Sequence, residues 1–220
     1  MLGIEGRAML SSFASLDKLA RLRAAAGDLA RAVRADRAMV QRAHEKYRGE
    51  TSSAPLAADL VAKVGLQMMA AYRLMRFFSQ IDMKPAAQVT SRVIRHLYGS
   101  DIHWDADFEP GVMLVHGMGM AISRSARVGS GATLSQHCTL GEGRHPDTAQ
   151  VGGPTIEEGV MVGIGAVVIG PVTIGKRSKI MPGCVVVRSV PPDSIVEPPQ
   201  SAVRPRAHAD ARAPNGGEAR

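Results

Sequence analysis

Residues 155–190, TIEEGVMVGIGAVVIGPVTIGKRSKIMPGCVVVRSV, carry one aliphatic residue at every sixth position. These positions are Ile156, Val162, Val168, Ile174, Ile180 and Val186. A helix repeats its apolar residues every three or four positions and a plain strand every second position, so neither element explains a period of six. A period of six is typical of a parallel β-helix, in which each hexad forms one short strand and its corner.

The same period extends upstream with two interruptions. It runs from Ile102 through Phe108 to Leu114, slips by two residues, resumes at Ile122, and ends before an insertion at 141–155. The resumed positions are Ile122, Val128, Leu134 and Leu140. We predict that these aliphatic side chains stack inside a three-sided prism and that the polar, glycine-rich insertion forms an irregular loop outside it.

A second set of mostly small residues lies four positions after these residues, with Arg144, which follows Leu140 in the insertion, as the exception. The set is Ala106, Val112, Met118, Ala126, Ala132, Cys138, Val160, Ala166, Val172, Ser178, Cys184 and Val190. We predict that these side chains point inward near the corners, where there is little room. Both cysteines belong to this set, so we expect Cys138 and Cys184 to be buried packing thiols rather than nucleophiles.

The first 100 residues lack the six-residue period and show helical patterns instead. We predict helices at 15–48, 55–79 and 85–98, with Gly99 ending the last one. The fold class is therefore α+β: a helical domain at 1–100, followed by a β-helix domain at 101–197. The tail at 198–220 is rich in Pro, Ala and Arg, and we expect it to be disordered.

Composition excludes several classes of protein. The net charge is +7, but the basic residues of the N-terminal half alternate with Asp and Ala along predicted helices. That pattern is typical of a solvated helix face, so we expect no nucleic-acid partner. The chain has no apolar run of about 18 residues and no signal-peptide pattern at its start, so we expect a cytoplasmic protein with no membrane partner.

Several strings resemble the serine O-acetyltransferases, which are hexapeptide-repeat acyltransferases. The strings are GLQMMAAYR at 65–73, DIH at 101–103, MLVHGMG at 113–119, LSQHCTLG at 134–141 and GVMVGIGA at 159–166. The resemblance covers about residues 45–200. It implies a left-handed β-helix that forms a homotrimer, or a hexamer of two trimers. It also implies acetyl transfer from acetyl-coenzyme A (acetyl-CoA) without a metal.

The resemblance assigns His116 and Asp101 to the family's catalytic pair. Attack of a hydroxyl on a thioester needs a base, and a neutral imidazole is suited to that task near pH 7. A carboxylate on the other ring nitrogen would fix the tautomer and stabilise the imidazolium. The two residues are separated by slightly less than three hexads, so we expect them on neighbouring coils near one edge of the prism.

The resemblance also assigns contacts to both substrates. Arg144 and His145 lie in the insertion, where the family holds the carboxylate of the acceptor. Glu50 aligns with a carboxylate that binds the amino group of the acceptor. The donor-binding positions, for pantetheine or for a phosphate of coenzyme A, correspond to Ile164, Gly165, Lys176, Lys179 and Pro182.

Two departures from the family pattern leave the acceptor open. Val115 stands where the family has an aspartate that pairs with the amino group of serine, and a valine cannot pair with an ammonium. His145 comes about six residues earlier in the insertion than the histidine of the family. The acceptor is therefore serine, a serine-like hydroxy compound, or a different acceptor.

Three further hypotheses follow from the sequence. The histidines at 103, 116, 137 and 145 allow an interfacial zinc site of the γ-type carbonic anhydrase kind, although the acyltransferase strings favour an enzyme without zinc. The altered pockets also allow a catalytically inactive trimeric scaffold. Family members dock cysteine synthase through a C-terminal isoleucine, whereas this sequence ends in Arg220, so we expect no such complex.

Overall fold

The structure is a computed structural model that describes residues 4–49 and 54–199. Within these residues, helices come first and short strands follow. The helices are α1 (Ile4–Arg48), α2 (Leu56–Ala62), α3 (Val64–Gln80) and α4 (Lys84–Tyr98). The strands are β1 (Asp101–Ile102), β2 (Asp107–Phe108), β3 (Met113–Val115), β4 (Ala121–Ile122), β5 (Arg127–Val128), β6 (Thr133–Ser135), β7 (Thr139–Gly141), β8 (Gly143–Arg144), β9 (Val151–Gly152), β10 (Thr155–Ile156), β11 (Met161–Val162), β12 (Val167–Ile169), β13 (Thr173–Ile174), β14 (Lys179–Ile180), β15 (Val185–Val186) and β16 (Ile195–Val196).

The helical region differs from its prediction at two places. Helix α1 begins at Ile4 rather than at residue 15, and the helix predicted at 55–79 is divided into α2 and α3. The division lies at Lys63, whose backbone is extended (φ −118°, ψ 98°) and whose N–H donates to the carbonyl of Asp59. Helix α4 ends at Gly99 in the left-handed conformation (φ 60°), as predicted.

The strands form a parallel β-helix with three sheets. Sheet A has the order β1-β4-β7-β12-β15, sheet B the order β13-β10-β5-β2, and sheet C the order β16-β14-β11-β6-β3. Successive hexads pass from sheet A to B to C, so three hexads form one coil. The slip is visible in the register, because Asp101 pairs with Ala121 whereas Thr155 pairs with Thr173, two residues closer in sequence. The predicted helices followed by a β-helix are therefore confirmed.

The interior of the prism contains the predicted aliphatic set, every member of which is buried. The small set is also buried with two exceptions. Val190 is half-buried, and the prediction for Met118 is wrong because its side chain is 50% exposed. The two-residue slip moves the inward position from Met118 to Met120, which is 1% exposed. Both cysteines are buried, and burial raises the pKa of Cys138 to about 12.

Helix α3 approaches the first coil of the β-helix closely at Gly65. A Cβ atom built on Gly65 would overlap the carbonyl oxygen of Leu114, on strand β3. Leu66 and Met68 on the same helix are fully buried, and Met68 belongs to the core cluster that includes the prism residues. The absence of a side chain at Gly65 therefore sets the distance between α3 and β3.

Replacement of Gly65 by alanine should destabilise the fold by about 3 kcal/mol, because backbone atoms cannot move aside as a flexible side chain can. Gly27→Ala on α1 is the matched control. A Cβ there meets no atom within 4 Å, and alanine favours a helix by roughly 1 kcal/mol over glycine. Urea unfolding of both variants tests this prediction, and equal midpoints would contradict it.

No helix among the described residues is long and apolar enough to cross a membrane. The predicted disordered tail falls almost entirely on residues 200–220, which lie outside the described residues, as does Arg220.

Candidate active site

One edge of the prism brings together His116 and several predicted donor-binding residues. We call it the C/A corner, because its turns connect sheet C to sheet A at 116–120, 136–138, 163–166 and 181–184. Backbone hydrogen bonds join these turns from coil to coil: His137 donates to Met118, Gly165 to Gln136, and Gly183 to Ile164. His116 therefore lies at the first turn of a continuous stack.

The backbone of His116 adopts the left-handed conformation, with φ 62°, and Gly117 follows with φ 69°. A positive φ is uncommon for residues other than glycine, although histidine adopts it more often than most. Such residues cluster at functional sites. The turn is packed tightly from below, because a Cβ on Gly117 would crowd the sulfur of the buried Met68. This conformation leaves the His116 side chain exposed at the corner.

Ser100 holds the segment before Asp101 against the turn that carries His116. Its hydroxyl donates to the carbonyl of Gly117 (2.8 Å) and accepts from the N–H of Met120 (3.1 Å), and the residue is fully buried. Ser100 was not predicted from the sequence, where its position directly before Asp101 is the one signal that points to it. The Asp101 carboxylate itself accepts from Arg95 (2.6 Å), and no hydrogen bond among the described residues joins it to His116.

If Asp101 orients His116 as a general base, as the sequence predicts, Ser100→Ala should lower kcat by about tenfold with little change in KM, because a small displacement of His116 relative to Asp101 would weaken proton transfer. Ser178→Ala is the matched control. Its buried hydroxyl also donates to a carbonyl, that of Pro191 (2.8 Å), and accepts from an N–H, that of Ser194 (3.0 Å), but at a different corner. Equal losses of kcat in the two variants would contradict a positioning role.

A cavity of about 640 Å³ opens beside His116. Its walls come from the C-terminal part of α1, from the junction between α2 and α3, and from β3. The polar side chains in the lining, besides His116, are His44, Tyr47 and Lys63. Val115 and its neighbours provide an apolar surface. Glu50, which was predicted to bind the acceptor, lies outside the described residues.

The insertion is more regular than predicted, because β8 and β9 form a short antiparallel hairpin in which Arg144 pairs with Val151. His145 closes the hairpin: its Nδ1 accepts from the backbone N–H groups of Asp147 (3.2 Å) and Thr148 (3.3 Å). A hydrogen bond from Arg188 holds the pKa of Asp147 below its usual range.

The hairpin connects sheet A to sheet B, at what we call the A/B corner. Arg144 and His145 are therefore at a different edge of the prism from His116. Within one protomer, the structure therefore does not bring these predicted acceptor contacts close to the predicted base.

The predicted donor-binding residues are divided between two corners and a sheet. Ile164, Gly165 and Pro182 belong to the C/A corner, and Ile164 is 48% exposed. Lys179 is exposed on the outer face of sheet C. Lys176 lies instead on the turn from sheet B to sheet C, where its ammonium is paired with Glu158 (3.4 Å).

Gln136 is a polar residue of the C/A corner for which the sequence predicted no role. Its side-chain oxygen is buried and accepts no hydrogen bond from the described residues. It lies between the turn of His116 and the turn of Ile164.

The four histidines of the zinc hypothesis divide between two corners. His116 and His137 belong to the C/A corner, whereas His103 and His145 belong to the A/B corner. Among the residues that the structure describes, no three His, Cys, Asp or Glu side chains of one protomer are grouped to hold a metal ion.

Comparisons with known proteins agree with this architecture. The family model "Bacterial transferase hexapeptide (six repeats)" matches residues 153–188. A serine acetyltransferase of Mycobacterium tuberculosis is 33% identical over 148 residues, which is 66% of this chain and 62% of that protein. The chain thus spans about three-fifths of the length of this relative.

Two solved structures share the fold. The serine acetyltransferase of Neisseria gonorrhoeae, in complex with serine, superimposes with a TM-score of 0.67 at 27% identity, covering 82% of this chain and 72% of that one. The serine acetyltransferase of Brucella abortus, in complex with coenzyme A, gives a TM-score of 0.68 at 22% identity, covering 83% and 70%. The resemblance inferred from the sequence motifs is confirmed.

Proposed function

The chain belongs to the serine O-acetyltransferase family, and on that premise we propose that it transfers an acetyl group from acetyl-CoA to a hydroxyl of serine or of a serine-like small hydroxy compound. The observation that carries the proposal is the C/A corner, where the exposed His116 stands on the same stack of turns as Ile164 and Pro182 and beside a cavity large enough for a small acceptor. The proposed location is the cytoplasm, as the sequence predicts.

His116 is the proposed general base. As the acceptor hydroxyl attacks the thioester carbonyl, the imidazole removes its proton; the C–S bond then breaks and the proton passes to the departing thiolate. Asp101 is the proposed orienting carboxylate: one oxygen accepts from Arg95, and the other would accept from the imidazole N–H. The tether from Ser100 to Gly117 supports this assignment, because it holds the two backbone segments together.

The proposed donor groove follows the C/A corner. Ile164, Gly165 and Pro182 would contact the pantetheine arm, and the unpartnered oxygen of Gln136 could accept a hydrogen bond from one of its amide N–H groups. Lys179 would bind a phosphate as a point charge. Lys176 lies on the turn from sheet B to sheet C rather than at the C/A corner, so it would contact the same ligand only across sheet C or from another protomer. A neighbour in fold that holds coenzyme A supports acetyl-CoA as the donor.

A homotrimer, alone or as half of a hexamer, would complete the site. Sheet A separates the A/B corner from the C/A corner. Asp101, Ala121, Thr139, Val167 and Val185 are in register across its outer face, which beyond the charged first strand is small or apolar apart from the hydroxyl of Thr139. Val185 is 69% exposed. If sheet A faces a threefold axis, the A/B corner of one protomer meets the C/A corner of the next, and Arg144 and His145 reach the neighbouring His116.

A thiol-release assay with acetyl-CoA tests the proposed activity. Serine, homoserine, other hydroxy acids and amino alcohols serve as acceptors, and mass spectrometry of the product establishes an O-acetyl ester. We expect acceptor-dependent release of coenzyme A. If no acceptor in the panel causes release of coenzyme A, the proposed function is rejected and the inactive trimeric scaffold is favoured.

A further inference from the structure

The charges around the cavity beside His116 determine which acceptor groups it can accommodate. Among the described residues that line it, none is an aspartate or a glutamate. Lys63 lines the cavity with a side chain that is 17% exposed, but its ammonium nitrogen is itself buried, and His44 is the potential hydrogen-bond donor. Val115, the residue directly before His116, contributes an aliphatic side chain to the lining.

The partners of Lys63 leave this wall with an excess of positive charge. Its ammonium is 2.8 Å from a carboxylate oxygen of Asp59, and the other oxygen of Asp59 accepts from Arg37 (2.7 Å). Two cations therefore share one carboxylate. Burial raises the pKa of Asp59, but hydrogen bonds from Lys63 and Arg37 outweigh it and hold that pKa below its usual range, so the carboxylate is ionised and the cluster is net positive.

From this arrangement we infer that the acceptor is a small hydroxy-carboxylate without an ammonium group, whose carboxylate is bound by His44 in the positive potential of the cluster of Lys63, Asp59 and Arg37. The inference rests on the proposed function, because it takes the cavity beside His116 as the acceptor site. An ammonium in this cavity would face a net positive cluster and an aliphatic side chain, and like charges brought together out of water disfavour binding. A carboxylate instead gains a charge-assisted hydrogen bond from His44 and the attraction of the net positive cluster.

The reaction itself is unchanged by this choice of acceptor. The hydroxyl oxygen forms an ester bond to the acetyl carbon, the thioester C–S bond breaks, and His116 carries the proton from the hydroxyl to the departing thiolate. The carboxylate of the acceptor takes no part in bond making and serves only to hold the hydroxyl near the imidazole.

Matched acceptors isolate the contribution of the ammonium. 3-Hydroxypropanoate is L-serine with the ammonium replaced by hydrogen, and glycerate is L-serine with it replaced by a hydroxyl. We expect kcat/KM for at least one of these acids to exceed that for L-serine by about 10- to 100-fold, because only L-serine must place an unpaired ammonium beside the net positive cluster. Calorimetric titration of the acids and of L-serine into the protein with coenzyme A measures binding independently of turnover.

Variants test the two walls of the cavity. Lys63→Met should raise KM for the hydroxy acid by about tenfold, whereas Lys84→Met, at an exposed lysine outside the lining, should not. Val115→Asp should lower kcat/KM for the hydroxy acid and raise it for L-serine. If Lys63→Met does not fold, as judged by circular dichroism, His44→Gln and Val115→Asp still test the inference.

The outcomes separate the inference from the proposed function. Turnover of L-serine at least as efficient as that of both acids, with equal or tighter binding, would overturn the inference and leave the acetyltransferase activity in place. A serine preference that disappears in Glu50→Gln would overturn it as well, by assigning the ammonium contact to Glu50. Tighter binding of the acids without release of coenzyme A from acetyl-CoA would support the pocket chemistry and reject the proposed function.

Discussion

Replacement of His116 by alanine should lower kcat/KM for acetyl transfer by about 10²- to 10⁴-fold, the usual contribution of a general base. The side chain is exposed at the corner and fills no part of the prism, so the variant should remain folded. His116→Asn gives a second test, because asparagine tolerates the left-handed backbone (φ 62°) and yet cannot act as a base near neutral pH.

The matched control is His96→Ala. This histidine is exposed on α4, where its Nδ1 lies 2.7 Å from the carbonyl oxygen of Arg92, and it is absent from the lining of the cavity beside His116. Thiol release should be close to that of the parent. Circular dichroism and urea unfolding of all three variants separate a loss of chemistry from a loss of fold. Parental activity in His116→Ala would remove the proposed mechanism.

The β-helix was predictable from sequence because its period is local. Each hexad specifies its own strand, and an inward position is occupied by an aliphatic or small residue regardless of what the rest of the chain does. The error at Met118 has a physical reason. The two extra residues at the corner make Met120, rather than Met118, the methionine that points inward. Counting four positions from Leu114 leads to Met118, because such a count takes no account of extra residues between the two positions.

The division between α2 and α3 was not predictable in the same way. No proline lies near Lys63, and the one glycine nearby, Gly65, is accommodated within α3, so the extended backbone at Lys63 accompanies a tertiary arrangement. Asp59 is buried between Arg37 of α1 and Lys63, and Gly65 lies against β3. These contacts join segments that are far apart in sequence, so propensity alone favours one continuous helix.

Site residues that belong to a short sequence motif were predictable, whereas site residues that come together only when several elements pack were not. His116 and Asp101 follow from the strings MLVHGMG and DIH, and both assignments remain proposals. Lys63 and His44 line the cavity only because α1 and the α2–α3 junction pack over β3. Likewise, the placement of His145 at another corner depends on how many hexads precede the insertion, which the identity of the residue does not reveal.

The same packing of helices on the β-helix depends on Asp36, a carboxylate of α1 that is 1% exposed. It accepts from two nitrogens of Arg73 on α3 (2.9 and 3.0 Å) and from the backbone N–H groups of Gly111 and Val112 (2.8 and 3.2 Å). Arg73 in turn donates to the carbonyls of Phe108 and Glu109. One ion pair therefore joins α1, α3 and the first coil.

Asp36→Ala should destabilise the protein by about 3–5 kcal/mol, because it leaves the buried guanidinium of Arg73 without a counter-charge and two N–H groups without an acceptor. Asp28→Ala is the matched control on the same helix. Asp28 pairs with Arg31 at the surface, and such pairs contribute less than about 1 kcal/mol. Urea unfolding measures both changes.

Because α1 also provides His44 and Tyr47 to the cavity, Asp36→Ala should raise KM for the acceptor under conditions in which the variant is still folded. Equal unfolding free energies for Asp36→Ala and Asp28→Ala would show that apolar packing alone holds α1 on the prism.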